Sequence, residues 1–61
     1  MITAIKTDKG YQLVALSQKT GQPFMKIKNF GPYKTAKTAN NGLKRAAALF
    51  NTEYKEVCDN V

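Results

Sequence analysis

The hydrophobic period of this chain changes at Gly31-Pro32, and that change restricts the fold more than any other feature. Before it, Phe24 to Phe30 alternates, with Met25 and Ile27 on one side and Phe24, Lys26, Lys28 and Phe30 on the other. After it, Ala36, Ala39, Leu43, Ala46, Ala47 and Phe50 recur at helical spacing. Pro32 removes an amide donor and biases Gly31 away from the α region, so the two patterns are separated by a corner. The expected unit is a strand, a tight corner and an amphipathic helix.

The residues before this unit supply two more strands. Met1 to Lys6 is short and β-branched, and Asp8-Lys9-Gly10 is turn chemistry. Tyr11 to Ser17 contains the run Leu13-Val14-Ala15-Leu16, apolar on both faces, which predicts a central strand. Gln18 to Pro23 forms the next connection, and Pro23 is expected just before a third strand over Phe24 to Asn29. Both connections are too short for a parallel crossover, so the strands form an antiparallel meander. The expected fold class is α+β, a three-stranded antiparallel sheet packed on one C-terminal helix (βββα), with Thr52 to Val57 adding a short extra strand or packing Tyr54 and Val57 across the core. With 61 residues the chain is one domain. Its folded core is expected over residues 1–57, with 58–61 frayed.

Within the helix, Thr35 is the expected N-cap and Asn51 the C-cap, with no acid at Thr38 to complete a capping box. Asn40-Asn41-Gly42 is a run of poor helix formers, so a break there is the alternative to a continuous helix. The continuous form is favoured because Ala39, Gly42 and Ala46 align on one small-residue stripe, making Gly42 a packing position. Lys37, Asn41, Lys44, Arg45 and Ala48 lie away from it.

Charge is the strongest functional signal. Ten Lys and Arg face four Asp and Glu, for a net +6. Residues 1–50 carry nine cations against Asp8, or +8, and residues 51–61 carry Lys55 against Glu53, Glu56 and Asp59, or −2. A basic body with an acidic tail favours phosphate polymers or acidic protein surfaces. With Met25 and Ile27 turned to the helix, Ile5, Val14 and Leu16 are expected beside them. Ala4, Lys6, Tyr11, Leu13, Ala15, Phe24, Lys26, Lys28 and Phe30 are then expected on the open sheet face. Rings among lysines suit stacked bases with neutralised phosphates. The expected nucleic-acid contacts are therefore Lys6, Tyr11, Phe24, Lys26, Lys28, Phe30, Lys34 and Lys37, with Lys34, Lys37, Lys44 and Arg45 forming a second basic cluster along the helix.

Catalysis finds few residues to use. There is no His, and three of the four carboxylates lie in the tail, so no enzyme activity, cofactor or metal is expected. Cys58 is the only cysteine, which excludes an intrachain disulfide and fits a reducing, cytoplasmic setting. No window approaches the ~20 apolar residues of a membrane span, so no membrane partner is expected.

Phe30-Gly31-Pro32-Tyr33-Lys34-Thr35-Ala36-Lys37-Thr38-Ala39, an aromatic after a Gly turn and then Thr opening an Ala-rich helix, resembles the small three-strand-plus-helix DNA-binding domains. These are the plant ethylene-response-factor type and the amino-terminal arm-binding type of tyrosine integrases. The resemblance implies a sheet whose outer face enters the major groove, with Lys26 and Lys28 in phosphate or base contact. Only Lys6, Lys9 and Tyr11 stand on the first strands where the plant-type domains carry Arg and Trp, and Asn40-Asn41-Gly42 replaces their acidic, Ala-rich helix start. The leading expectation is a non-enzymatic nucleic-acid-binding module. The alternative is a small regulator or inhibitor, of the kind phages and mobile elements encode, docking on an acidic protein partner. Either a monomer or a homodimer is compatible, because Leu13 and Ala15 on an open face would favour cover.

Overall fold

The computed structural model describes residues 1–58 and has the βββα order, with β1 at Ile2–Thr7, β2 at Gly10–Leu16, β3 at Pro23–Lys26 and α1 at Ala36–Phe50. The strands form one antiparallel sheet in the order β1-β2-β3, and α1 covers one of its faces. The expected fraying at 59–61 falls outside the described residues, and Cys58 is an exposed thiol. No helix among the described residues is long and apolar enough to cross a membrane.

The faces of the first two strands are inverted relative to the expectation. Ala4 pairs with Leu13 and Lys6 with Tyr11, while Val14 pairs with both Thr3 and Lys26. Ile2, Ala4, Tyr11 and Leu13 join Ile27 and the helix residues Ala36, Ala39, Leu43, Ala46 and Ala47 in the core. Val14 is also buried but lies outside that cluster, on the other face, and Ile5, opposite Gln12, is exposed. The run Leu13 to Leu16 is apolar in both alternations, so a one-residue change of register turns every side chain over at little cost to the pattern. What selects the observed face is Tyr11, whose large ring joins the core only if Leu13 does.

β3 is shorter than expected. It starts at Pro23 and ends at Lys26, and its pairing slips between Ala15 and Leu16, where Leu16 faces Pro23 and Phe24 becomes the extra residue of a bulge. The Ile27 amide still donates to the Leu13 carbonyl at 3.0 Å, and Asn29 then turns the chain with a φ of 73°, a left-handed value that Asn tolerates.

The corner then returns to β2. Tyr33 donates to the Tyr11 carbonyl at 2.9 Å and accepts from its amide at 2.6 Å, so the half of β2 that β3 leaves bare is paired by the corner. Gly10 permits this approach, since a Cβ there would collide with the Tyr33 carbonyl and its φ is +115°. The Gly31–Pro32 peptide bond is cis.

The helix is continuous through Asn40-Asn41-Gly42. Thr35 is its N-cap, accepting from the Thr38 amide at 3.2 Å, and the Thr38 hydroxyl accepts from the Thr35 amide at 3.4 Å. A hydroxyl thus completes the capping box that no acid was present to close. Asn51 closes the other end in the left-handed conformation, with φ 53° and ψ 52°.

Asn40 has a tertiary role that compensates for its poor helix propensity. Its side-chain amide donates to the Val57 carbonyl and its oxygen accepts from the Val57 amide, both at 2.8 Å. Upstream, the Ile2 amide donates to the Glu53 carbonyl at 3.0 Å and the Lys55 amide to the Ile2 carbonyl at 2.9 Å, so Tyr54 forms a parallel bridge beside β1. Tyr54 and Val57 pack half-buried against the core. Replacing Asn40 by Ala is expected to raise Val57 amide exchange roughly tenfold while changing global stability by less than about 1 kcal/mol, because the helix gains about what the lost bonds cost. Native-state hydrogen exchange would check this, and unchanged protection at Val57 would refute the clamp.

Candidate nucleic-acid interface

The outward side of α1 follows from the same periodicity that buries its inner side. Lys37, Asn41, Lys44 and Ala48 are spaced by four, three and four, so they form one exposed line, with Thr38 and Arg45 beside it. No Asp or Glu occurs among residues 34–52, so this line carries cations and neutral polar groups without a local counter-charge.

A shallow cleft of about 460 Å³ opens beside that line, lined by Tyr33, Thr38, Asn41, Lys44 and Arg45. Gly42 helps to shape it. A Cβ built on Gly42 would lie 2.7 Å from Cε2 of Tyr33 and closer still to its hydroxyl, so the bare glycine is the seat of the Tyr33 ring. Gly42 is therefore a packing residue, as its spacing predicts, but its partner is the ring of the corner tyrosine. The walls of the cleft offer hydroxyls, a carboxamide, an ammonium and a guanidinium. These groups donate to oxyanions, and the guanidinium can grip a phosphate through two parallel bonds.

Tyr33 also connects the cleft with two of the sequence-identified lysines. Its backbone pairs with Tyr11, and the Lys6 ammonium lies 5.0 Å from the centre of the Tyr11 ring. Lys34 follows Tyr33 and passes beside Gly10, while Lys37 stands exposed in the first turn of α1. Lys6, Lys34 and Lys37 thus belong to the corner-and-helix side of the molecule.

The other predicted contacts separate. Tyr11 is 6% exposed and faces the core, so its ring is closed to a base. Phe30 is half-buried and meets Phe50 edge-on, with ring centres 6.3 Å apart. Lys26 is exposed at the end of β3 on the outer face, and Lys28 is exposed in the turn beyond it. Phe24, Lys26 and Lys28 instead border a second, larger groove of about 1320 Å³, together with Lys19, Met25 and Phe50. The outer sheet face that was expected to be aromatic and basic carries Thr3, Ile5, Gln12, Val14 and Lys26, which make it largely neutral.

Thr38 and Asn41 line the cleft but are not among the contacts expected from the sequence, although Asn41 was placed on the outward side of the helix. Their helical spacing with Lys44 and Arg45 was available, whereas the seating of Tyr33 on Gly42 was not. Among the described residues no group of three or more Cys, Asp and Glu side chains gathers to hold a metal ion. None of the protein-family models, curated proteins or solved structures compared with this chain matches it.

Proposed function

We propose that this protein binds nucleic acid, and that it does so through the outward face of α1 and the adjoining Tyr33 cleft. The observation that carries the reading is the cleft itself, where Lys44 and Arg45 stand with Thr38 and Asn41 on a helix that has no carboxylate, beside the corner residue Tyr33. Phosphate contacts from Lys34, Lys37, Lys44 and Arg45 come first, releasing counterions and orienting the helix. At 15 residues, α1 is roughly 22 Å long and about 10 Å wide, a fit to a major groove about 12 Å across. Asn41, on the exposed line, can then offer its carboxamide to an adenine edge.

Duplex is favoured over single strand, because this surface presents no freely exposed ring on which bases would stack. The proposed contact lies on the helix rather than on the outer sheet face by which the resembled domains dock, since that face is largely neutral here.

Fluorescence anisotropy with labelled duplex and single-stranded DNA and RNA tests the reading. With about four phosphate contacts, duplex affinity should fall about 100-fold between roughly 50 and 200 mM salt. Lys44→Ala with Arg45→Ala should lower the salt slope by about two, while Lys26→Ala with Lys28→Ala should change affinity less. Absence of binding at low salt would overturn the proposal, and a larger loss from the Lys26 and Lys28 changes would move the contact to the sheet side.

A further inference from the structure

A helix is about 10 Å across and neighbouring strands lie about 4.8 Å apart, so one helix covers roughly two strands. This sheet has three. Helix α1 lies against β1 and β2 and leaves β3 without a covering element. Met25 is paired with Ala15 and so shares the helix-facing side of the sheet, yet it is 56% exposed because nothing lies above it. Phe24 is 66% and Phe50 53% exposed on the borders of the same space. This is the larger groove, the position a second helix would fill in a two-layer fold.

Charge identifies the occupant. Lys19 and Lys28 border the groove on this side of the sheet, and among the described residues no Asp or Glu lines it. A second copy of the chain would bring a net +6 and a helix whose charged side chains are all cations against those lysines, a like-charge contact that disfavours self-association. The segment Glu53 to Val57 does not fill the groove, since it is held beside β1 and Asn40, at the opposite edge of the sheet. We infer that the β3 groove is a docking site for an acidic amphipathic helix of a partner protein, which lays its apolar stripe on Met25, Phe24 and Phe50 and its carboxylates against Lys19 and Lys28.

The surface is distinct from the cleft on α1, so the two readings fail independently. The test is selection of phage-displayed random 16-residue peptides on the full chain, with counter-selection on the Met25→Asp variant. Enriched sequences should carry apolar residues at i, i+3, i+4 and i+7 with Asp or Glu on both flanks. A synthetic copy should bind at micromolar Kd and lose tenfold or more on Met25→Asp and on Phe24→Ser. Both positions are already exposed, and circular dichroism would confirm that the variants fold. Duplex DNA affinity should stay unchanged in both. Enrichment of alternating apolar sequences, of neutral or basic flanks, or of nothing that survives counter-selection would overturn the inference. So would a dimer at about 100 μM in sedimentation that Met25→Asp dissolves, which would give the groove to a second copy.

Discussion

Replacing Leu43 by Ala is expected to lower the unfolding free energy by about 3 to 5 kcal/mol. Leu43 is fully buried at the centre of the inner stripe of α1, and with Leu13 it is one of the two largest side chains buried completely. Removing such a side chain costs its transfer energy and leaves a cavity that the surroundings fill only in part. A 61-residue domain has about 3 to 9 kcal/mol of stability in total, so a loss of this size takes at least about a third of it. The neighbours of Leu43 add to the effect. Ala39, Ala46 and Ala47 are short and held by the helix backbone, so they cannot lean into the space. Urea titration followed by circular dichroism at 222 nm would measure the change. A loss below about 1 kcal/mol would mean that the helix and sheet collapse to fill the void.

Substituting Ala for Gly42 should destabilise the protein by about 2 kcal/mol, although Ala is the better helix former by about 1 kcal/mol. The new methyl would stand where the Tyr33 ring lies. The Tyr33 backbone is held by its pairing with Tyr11 on the central strand, so the ring can yield only by turning about its own side-chain bonds out of its seat. The test of this cause is a double-mutant cycle. In a Tyr33→Ala background the same Gly42→Ala change should become stabilising, since only the propensity term is left. Thermal unfolding of the four proteins would show the change of sign. If Gly42→Ala stabilises the wild-type chain, the ring has another place to go, and the Tyr33 cleft loses its floor.

The two substitutions also show where the local pattern was a sufficient guide. Leu43 could be named as core from the spacing of Ala36, Ala39, Leu43, Ala46 and Ala47, and Gly42 could be named as a close-packing position. Its partner could not, because Tyr33 reaches the helix only after the corner has turned and re-paired with Tyr11, a contact between residues far apart in the chain. The candidate interface divided in the same way. Lys34, Lys37, Lys44 and Arg45 were legible as a basic helix side, while Tyr11 and Phe30 were read as exposed rings and lie in or against the core.

What the sequence determined by itself is the set of elements and their order. The switch of hydrophobic period, the Gly-Pro corner, the short connections and the Thr35 and Asn51 caps act within a few residues of one another, so they lead to three antiparallel strands and one helix without reference to the rest of the molecule. What only the tertiary structure decided is which face each strand turns inward and which surfaces are left bare. The run Leu13-Val14-Ala15-Leu16 satisfies both registers, and the choice is made by the volume of Tyr11 and by the closure of Tyr33 on Gly42. The bare groove over β3 is likewise a matter of widths. A single helix covers two strands of a three-stranded sheet, and no local feature of Phe24 or Met25 announces that they are the ones left outside.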